Sequence, residues 1–593
     1  MWVNGYFIPY RIVEFEESVD ELRLYLPENS EDLKEFFFKL KKYIKEGHYA
    51  FGFFSYELGY LLEKRLKHLF VEPKGVPLAY FKIFKKIKRD SLFIKEENHQ
   101  EDKFFDVKYG ISKKEYTEAI QKIKSYIASG DVYQINYTFK VKFNFKGDPL
   151  RLFWKLIFSQ RCRYGAYLDG GNFFVLSLSP ELFLKKRGAQ VLSSPMKGTS
   201  KRGISLKHDN MVKAMLFQDE KNRAENVMIV DLIRNDLGRC CEDGSVWVKE
   251  LFKVESYPTL HQMISTVTGT LKTKSFFDVL RSIFPCGSVT GAPKIRAMEI
   301  IKELEKEPRG VYTGAIGFFT PKGDYVFNVG IRTLVFWKEN DHYRGEAGIG
   351  SGVVWDSSPE EEYSECLLKS RFFVRAIPYF KLIESLYFSP GKSNYLLKLH
   401  YQRMRDSAKF FRFKVPPELS TFQAFEGYLK RKLKHLNPGH YRIRIFLSPE
   451  GEIELKVERF VPWNEELKVA LVKRKFDMNM FFFHKTTNRE PLNFWRKKAE
   501  DLGFDEVVFF NDKGELLEGT ISTVFLKLNG KLYTPPVNLG ILRGVLREWM
   551  LKNKQVLEKV LTIDELASAE AFYIGNSVRG LGKVTKWCIL EDC

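Results

Sequence analysis

Residues 133–145 read YQINYTFKVKFNF, and an apolar side chain stands at every second position from Tyr133 to Phe145. A period of two is that of a strand with one apolar face and one polar face. Antiparallel sheets commonly bury only one face, so the pattern predicts a half-buried strand of an antiparallel sheet. Gln134 and Asn136 fall on the polar face of this predicted strand.

Helices and further strands are predicted on either side. A helical stripe precedes the strand and ends at Gly130, and its apolar members are Tyr116, Ile120, Ile123 and Ile127. Ile377-Pro378 and Ser389-Pro390-Gly391-Lys392 interrupt the pattern, which predicts a domain boundary near residue 377. We expect an α+β protein with domains 1–377 and 378–593, the first built on antiparallel sheets with flanking helices.

Length and composition restrict the class of protein. The chain has 593 residues, too many for one hydrophobic core. No apolar run is long enough to span a membrane, and the first residues lack the pattern of a secretory signal. The seven cysteines are scattered, as expected for reduced thiols in the cytoplasm.

The formal charge of +20 raises the question of nucleic-acid binding. The lysines are spread over many predicted helices and read as solvated faces, and no aromatic-and-basic recognition module appears. We therefore expect no nucleic-acid and no membrane partner, and only a bias toward small anionic substrates.

Carboxylates at three places are candidate functional groups. Glu225 lies on a predicted helix, and Glu181 lies in a strand-like stretch. Ser358 and Pro359 predict the start of another helix. On it Glu362, Glu365 and Lys369 share one face, where they would form either a solvated surface or part of a site for a hard cation.

Two glycine-containing loops predict the binding of an anion or a close approach of the backbone. Residues 288–294, SVTGAPK, precede an apolar helical stripe, and amides at a helix start attract carboxylate or phosphate. Residues 348–352, GIGSG, would let the backbone approach a ligand closely.

Four stretches together resemble the chorismate-utilising enzymes, a family that includes anthranilate, aminodeoxychorismate, isochorismate and salicylate synthases. These stretches are 194–199 (SPMKGT), 230–237 (VDLIRNDL), 287–294 (GSVTGAPK) and 348–352, and the resemblance covers most of residues 45–376. Lys197 occupies the position at which aminodeoxychorismate synthases typically have lysine and anthranilate synthases alanine. Gln134 stands where isochorismate synthases carry a lysine base. The resemblance therefore implies amination of chorismate, with Lys197 attacking the ring.

The same resemblance implies roles for further residues. Glu181 would be the general acid, and His261 would lie near the reacting ring. Glu225, Glu362 and Glu365 would bind Mg²⁺. The residues implied to contact the substrate are Gln134, Thr199, Tyr312, Arg332, Gly350, Gly352 and Lys369. The whole length is already assigned without a glutaminase domain, so a separate glutamine amidotransferase subunit is implied as the source of ammonia.

Residues from about 380 to 593 resemble the fold-type IV pyridoxal-phosphate (PLP) enzymes, which include D-amino-acid and branched-chain transaminases and aminodeoxychorismate lyase. The stretches that carry this likeness are 400–408 (HYQRMRDSA), 484–488 (HKTTN), 517–523 (LEGTIST) and 540–545 (GILRGV). The resemblance implies a two-lobed domain that forms a homodimer. Lys485 would carry the cofactor, and Glu518 would pair with its pyridine nitrogen. Arg403, Thr523 and the amides of Ile541 and Leu542 would hold its phosphate.

The motifs of the second domain fit a lyase and a transaminase equally. A neighbouring domain that makes aminodeoxychorismate favours the lyase, by association alone. The expected activity is then synthesis of 4-aminobenzoate, a precursor of folate, by amination followed by loss of pyruvate. The alternatives are an amino-acid transaminase and a non-catalytic dimerisation module.

Overall fold

The strand predicted around Tyr137 is present in the structure. A computed structural model describes residues 5–9, 13–27, 30–89, 102–257, 260–374, 378–392, 394–476 and 479–590. The strand extends over Gln134–Lys146 and pairs antiparallel with Tyr343–Val353 along eleven residue pairs. Both of its faces are buried from Gln134 to Phe139, and the predicted alternation holds only from Lys140 onward. The prediction of a half-buried strand is therefore wrong for its first half, where the polar face is covered by protein.

The chain divides into two compact units. The front unit comprises Met1–Arg202 and Val212–Pro378, and the rear unit comprises Gly203–Met211 and Tyr379–Cys593. Among the helices in the described ranges, none combines the length and the apolar character needed to cross a membrane.

Before residue 378 the strands form one continuous antiparallel network, in agreement with the predicted architecture. They are β1 (Gly5–Pro9), β2 (Val13–Leu24), β3 (Tyr49–Phe54), β4 (Ala79–Arg89), β5 (Lys103–Tyr109), β6 (Gln134–Lys146), β7 (Tyr164–Asp169), β8 (Phe173–Ser179), β9 (Leu182–Arg187), β10 (Gln190–Ser194), β11 (Met196–Lys201), β12 (Trp247–Ser256), β13 (Leu260–Thr270), β14 (Gly291–Ala292), β15 (Ala315–Phe319), β16 (Tyr325–Val329), β17 (Thr333–Lys338) and β18 (Tyr343–Val353). Hydrogen bonding runs in the order β5-β6-β18-β17-β8-β7-β1-β2-β4-β3-β15-β16-β9-β10-β13, and β13 also pairs with β11 and β12.

Four of the helices before residue 378 were predicted from the sequence, namely those that carry Tyr116, Glu225, Ile295 and Glu362. The helices of this part are α1 (Ser30–Lys45), α2 (Leu58–Leu62), α3 (Lys113–Ala128), α4 (Pro149–Gln160), α5 (Leu206–Gln218), α6 (Glu220–Gly238), α7 (Phe276–Ile283), α8 (Lys294–Leu304) and α9 (Pro359–Val374). The predicted stripe of α3 is confirmed, since Tyr116, Ile120 and Ile123 are buried and a capping box at Ser112 starts the helix. Gly130, in left-handed conformation, follows the end of α3.

The rear unit has two separate sheets, in agreement with the predicted two lobes. A three-stranded antiparallel sheet contains β19 (Leu382–Phe388), β20 (Tyr441–Leu447) and β21 (Ile453–Arg459). A mixed sheet contains β22 (Leu467–Lys473), β23 (Glu506–Phe510), β24 (Leu516–Gly519), β25 (Thr523–Leu528), β26 (Lys531–Thr534), β27 (Leu557–Glu558), β28 (Ala571–Asn576) and β29 (Gly580–Ile589). Its pairings close a ring through β22, β23, β24, β25, β28 and β29. The helices are α10 (Leu397–Phe411), α11 (Phe422–Leu433), α12 (Glu490–Asp501), α13 (Val545–Lys552) and α14 (Ile563–Ala567).

Aromatic side chains dominate the core of the front unit. Phe54, at the end of β3, is fully buried, and its ring lies 4.9 Å from that of Phe81 and 5.8 Å from those of Phe37, Phe276 and Phe327. These rings come from strands and helices on several sides, so this cluster fixes α1 and α7 on the sheet.

We expect Phe54→Ala to lower the free energy of unfolding of the front unit by about 3–5 kcal/mol, because truncation leaves a cavity among rings that cannot collapse into it. Phe38→Ala is the matched control, since that side chain on α1 is 68% exposed. Its effect should stay within about 0.5 kcal/mol. Denaturant unfolding of the full chain measures both, and equal losses in the two variants would contradict this account of the core.

Candidate active sites

A cavity of about 410 Å³ lies in the front unit, against the polar face of β6. Eleven residues singled out in the sequence line it: Glu181, Lys197, Thr199, Glu225, Tyr312, Arg332, Gly350, Gly352, Glu362, Glu365 and Lys369. They come from β11, β18, α6, α9 and the loops after β8, α8 and β16, so the fold brings together positions that are far apart in the chain.

Lys197 projects from β11 toward Gly352 of β18. A Cβ atom on Gly352 would lie 2.4 Å from the Lys197 ammonium nitrogen and 2.7 Å from Gln134 Nε2, so only glycine allows this approach. Burial lowers the pKa of Lys197, and Glu225 opposes the shift without cancelling it. A lowered pKa increases the fraction of neutral, nucleophilic amine.

Gln134 is the neighbour of Lys197 on β6. Its side chain is fully buried, and neither amide atom has a hydrogen-bond partner within the described ranges. Buried amides are normally paired, so this side chain is available to a group that enters beside the Lys197 amine.

Glu181 lies between β8 and β9 and is buried. The Ser288 hydroxyl donates a hydrogen bond of 2.6 Å to its carboxylate. Burial raises the pKa of Glu181 to about 7, although Ser288 and Lys197 favour the charged form. A carboxyl group with this pKa carries a proton in much of the population at neutral pH and can act as a general acid. The contact with Ser288 was not predicted, because the two residues are distant in sequence.

The loop 288–294 connects two helices and also borders the front cavity. Lys294 begins α8, and its ammonium donates to Asp236 of α6 and to the carbonyl oxygen of Ile283. Both members of this ion pair are largely buried. The loop therefore fixes α6 against α8 and presents Ser288 to Glu181.

Arg332 is the cation at one wall of the cavity. Its backbone is left-handed at φ 49°, which is unusual for a residue with a Cβ and is typical of functional sites. Burial lowers its pKa, and the nearby Tyr257 hydroxyl and Cys162 thiol oppose that shift. No carboxylate within the described residues forms an ion pair with Arg332, which leaves its charge for an anionic ligand.

The predicted metal ligands Glu225, Glu362 and Glu365 line the same cavity, and the face of α9 that carries Glu362, Glu365 and Lys369 therefore meets a cavity while Glu365 and Lys369 stay about half exposed. Ser357 donates to Glu362 at 2.7 Å, and Lys369 forms a 2.7 Å ion pair with Glu365. Burial alone would raise the pKa of Glu365, but Lys369 outweighs it and lowers the pKa. Lys369 also donates to the carbonyl oxygen of Gly350 at 2.8 Å.

No group of three or more His, Cys, Asp or Glu side chains in the described ranges is arranged to hold a metal ion. The donor chemistry of the α6 and α9 carboxylates nevertheless fits Mg²⁺, which takes oxygen ligands and commonly binds through one or two carboxylates together with water and substrate oxygens. A preformed cage is not required for that mode.

Two predicted residues of the front unit, Gln134 and His261, are not among those that line the cavity. Gln134 lies next to Lys197, whereas His261 lies on the opposite face of its strand. It is fully buried, and its Nδ1 lies 2.9 Å from the Ser256 hydroxyl. The next residue, Gln262, lines the cavity and accepts a hydrogen bond from Thr199. Successive side chains of a strand point to opposite faces, so Gln262 and not His261 faces the cavity.

A second cavity, of about 70 Å³, lies in the rear unit. The second cavity is lined by five of the residues that the resemblance implied for the cofactor: Arg403, Lys485, Glu518, Thr523 and Leu542. Burial lowers the pKa of Lys485 to about 7, and Arg403 adds to the effect. Burial raises the pKa of Glu518 to about 8. Only a cation close to Glu518 would keep that carboxylate ionised at neutral pH.

Two of the predicted phosphate-binding groups, Arg403 and the Leu542 amide, already form hydrogen bonds within the protein. Arg403 donates to Glu384 from Nε at 2.8 Å and from Nη2 at 2.6 Å, and Glu384 also accepts from His400. The Leu542 amide donates to Glu518, and the Ile541 side chain packs in the core. Arg403 thus reaches the cavity with its charge largely neutralised.

Arg489 lines the rear cavity and was not predicted. Its Nε is buried without a hydrogen-bond partner in the described part of the chain, and Nη2 donates to the carbonyl oxygen of Thr520. A basic residue four positions after Lys485 is the only sequence signal, and it resembles many surface arginines.

Both cavities combine a buried amine, a buried carboxyl group and at least one cation, an arrangement that defines enzyme sites for small anionic molecules. The chain belongs to the chorismate binding enzyme family, whose model matches residues 14–375. Residues 381–587 match amino-transferase class IV.

Individual relatives match less than half of the chain. Aminodeoxychorismate synthase component 1 of Klebsiella aerogenes is 41% identical over 43% of this chain and 56% of its own length. Anthranilate synthase component 1 of Aquifex aeolicus is 36% identical over 49% of this chain and 59% of its own. The chain spans between 29% and 59% of the length of the curated relatives it matches.

Among solved structures, anthranilate synthase component I from Streptococcus pneumoniae TIGR4 is 24% identical and superposes with a TM-score of 0.53. The match covers 63% of this chain and 93% of that one, and it shows the fold of the front unit.

Proposed function

We propose that the chain converts chorismate to 4-aminobenzoate in two steps, with residues 1–377 forming 4-amino-4-deoxychorismate and residues 378–593 releasing pyruvate from it. The observation that carries the proposal is a cavity lined by both Lys197 and Glu181, with the Gln134 amide next to the Lys197 amine at Gly352. Relatives named as aminodeoxychorismate synthases and as anthranilate synthases both match this chain, so the distinction rests on Lys197.

Each step of the proposed amination can be assigned to residues of the front cavity. Arg332, Tyr312 and the Gly350–Gly352 backbone hold a substrate carboxylate. The neutral Lys197 amine forms a bond to the ring while the 4-hydroxyl leaves, and Glu181 gives that oxygen its proton, so water departs. Ammonia then forms the final bond to the ring, and the Lys197 amine leaves.

Mg²⁺ belongs to the same proposal. Glu225, Glu362 and Glu365 would hold it, and it would compensate the charge of a substrate carboxylate. Ammonia would come from solution or from a separate glutamine amidotransferase subunit.

In the rear unit, Lys485 would carry PLP covalently, and Glu518 would face its pyridine nitrogen, where a positive charge keeps the carboxylate ionised. The bound cofactor would supply an electron sink. Lys485, with its pKa near neutrality, then moves the proton that loss of pyruvate requires. A homodimer through this unit is part of the proposal.

Arg489 favours an anionic substrate in the rear cavity. It lies beside Lys485 and Glu518, and no described carboxylate forms a close ion pair with it, although Glu518 and Glu506 oppose the lowering of its pKa by burial. Aminodeoxychorismate carries two carboxylates, whereas a simple amino acid carries one. A transaminase is the second candidate, because Lys485 and Glu518 serve that reaction equally.

Lys197→Ala should slow aminodeoxychorismate formation by about a hundredfold or more, because the nucleophile is lost, and should divert some product to anthranilate. Lys201→Ala is the matched control, an exposed lysine on the same strand. Chorismate, ammonium and Mg²⁺ with the full chain provide the assay. Unchanged kinetics in Lys197→Ala would refute the covalent role.

The pH profile of the front reaction tests the two proton states. The need for neutral Lys197 makes the rate fall at acid pH, and the need for protonated Glu181 makes it fall at alkaline pH. Glu181→Gln should remove the alkaline fall and lower the rate by roughly 10²–10⁴-fold. Ser288→Ala removes a hydrogen bond that favours the carboxylate, so it should extend activity to higher pH. Rates are compared at constant free ammonia, and an alkaline fall that survives in Glu181→Gln would contradict the assignment.

Aminodeoxychorismate supplied to the Lys197→Ala protein with PLP tests the rear unit alone. We expect 4-aminobenzoate and pyruvate in equal amounts, and loss of both products and of the absorbance of bound cofactor in Lys485→Ala. Lys513→Ala, on an exposed turn of the same unit, should change neither. Amine exchange between an amino acid and a 2-oxoacid, without pyruvate release, would establish the transaminase instead.

A further inference from the structure

A buried carboxylate, Glu57, lies outside the front cavity and has no part in the chemistry proposed above. It follows β3 and is 3% exposed. Its two oxygens accept hydrogen bonds from the backbone amides of Arg309, at 2.6 Å, and Gly310, at 3.0 Å. The amide of Tyr56 in turn donates to the carbonyl oxygen of Gly310 at 2.8 Å. The start of the turn 309–313 is thus fixed by residues that lie some 250 positions earlier in the chain.

The Arg309 side chain extends this network to the cavity wall. Its guanidinium donates to the Glu305 carboxylate at 2.9 and 2.7 Å and lies 4.4 Å from the centre of the Tyr56 ring. It also donates to the carbonyl oxygens of Val289, at 2.8 Å, and Asn136, at 2.6 Å. Val289 and Asn136 both line the front cavity. Glu57 therefore holds the backbone of a residue that ties two walls of the cavity together.

Tyr312 occupies the same turn. The turn contains two left-handed residues, Gly310 at φ 66° and Thr313 at φ 59°, a conformation that needs outside support at Thr313. The Tyr312 ring lies directly on Gly348, where a Cβ atom would be 2.1 Å from it, and the residue lines the cavity. A small shift of the turn would move this ring relative to the substrate.

We propose that Glu57 is a positioning residue for substrate binding in the front cavity, acting through the 309–313 turn on Tyr312 and through Arg309 on Asn136 and Val289. The inference rests on the proposed function, since the substrate by which it is measured is chorismate. Glu57 itself would not touch the substrate, but it would fix the positions of the cavity residues that do.

Glu57→Gln tests the inference with little change of shape. In the parent protein two backbone N–H groups donate to the Glu57 carboxylate. The side-chain nitrogen of glutamine is itself a donor and cannot accept from an N–H group, so one of these two hydrogen bonds is lost in the variant. We expect the KM for chorismate to rise about tenfold while kcat changes less than about threefold, the pattern for loss of binding rather than of chemistry. Burial raises the pKa of Glu57 to about 7, so both enzymes are compared well above neutral pH, where the carboxylate is ionised.

Glu346→Gln is the matched control. Glu346 forms an ion pair of 2.6 Å with Lys140 in the same unit, and both side chains are largely buried. The two substitutions delete one carboxylate each, so a general loss of stability would appear in both. Only Glu57→Gln should change the KM.

Combination with Tyr312→Phe separates positioning from a merely structural role. If Glu57 acts through Tyr312, the rise in KM of the double variant should fall short of the product of the single effects by at least about threefold. Fully multiplicative effects would overturn the proposal. If Glu57→Gln does not fold, Gly310→Ala replaces it, because it strains the left-handed turn while leaving Glu57 in place. The added Cβ would be 3.6 Å from Val76 and 3.8 Å from Pro73, so it finds space.

The experiments distinguish a failure of the proposed function from a failure of the role of Glu57. A parent enzyme that neither binds nor aminates chorismate refutes the proposed function. A parent enzyme that aminates chorismate, with an unchanged KM in both Glu57→Gln and Gly310→Ala, refutes only the role of Glu57.

Discussion

The close approach of Lys197 to the backbone of β18 is the constraint on which the front site depends. Gly352 is paired with Asn136 in the β6–β18 register, and the Lys197 ammonium and the Gln134 amide both occupy the space that a Cβ atom would fill. This arrangement places the Lys197 amine among buried groups at one wall of the cavity. The same burial has opposite effects on two groups, since it lowers the pKa of Lys197 and raises that of Glu181. One desolvated cavity thus prepares both a nucleophile and an acid.

The rear unit uses the same physics in an unrelated fold. Burial brings the pKa of Lys485 down to about 7 and that of Glu518 up to about 8. The difference lies in the charges around the pair. Arg403 is held by Glu384, whose pKa is lowered to about 2 because Arg403 and His400 outweigh its burial. Arg489 forms no such ion pair among the described residues, although Glu518 and Glu506 oppose the lowering of its pKa by burial. An anion that enters the cavity therefore meets a cation that no close ion pair holds.

Local patterns were sufficient for several elements of the fold, whereas the identity of most site residues came from the resemblance to known families. Three elements were predicted from signals between neighbouring residues, and the structure contains all of them. These signals are the alternation of β6, the apolar stripe of α3 and the capping residues of α9. The face of α9 that carries Glu362, Glu365 and Lys369 follows from helical geometry alone. Whether that face met solvent or a cavity could not be decided from spacing, because the answer depends on β18, which packs against it.

The contacts that sequence reasoning missed are those between distant segments. Ser288 and Glu181 are 107 positions apart, and Arg309 and Glu57 are 252 apart. A shift of one residue was enough to misplace His261, because alternate residues of a strand face opposite sides and Gln262 faces the cavity. Periodicity predicts that two faces exist, but the partner strands determine which face meets the cavity.

The net positive charge of the chain is a poor guide to where the protein recognises anions. Lysine and arginine exceed aspartate and glutamate by 95 to 75, yet many surface lysines pair with neighbouring glutamates, as Lys39 does with Glu35 at 2.6 Å. Exposed pairs of this kind contribute little to binding or stability. The cations that matter for recognition are Arg332 and Arg489, each at a cavity wall and without a carboxylate partner in the described ranges. Since desolvation strengthens electrostatic attraction, two such charges determine anion preference more strongly than the excess on the surface.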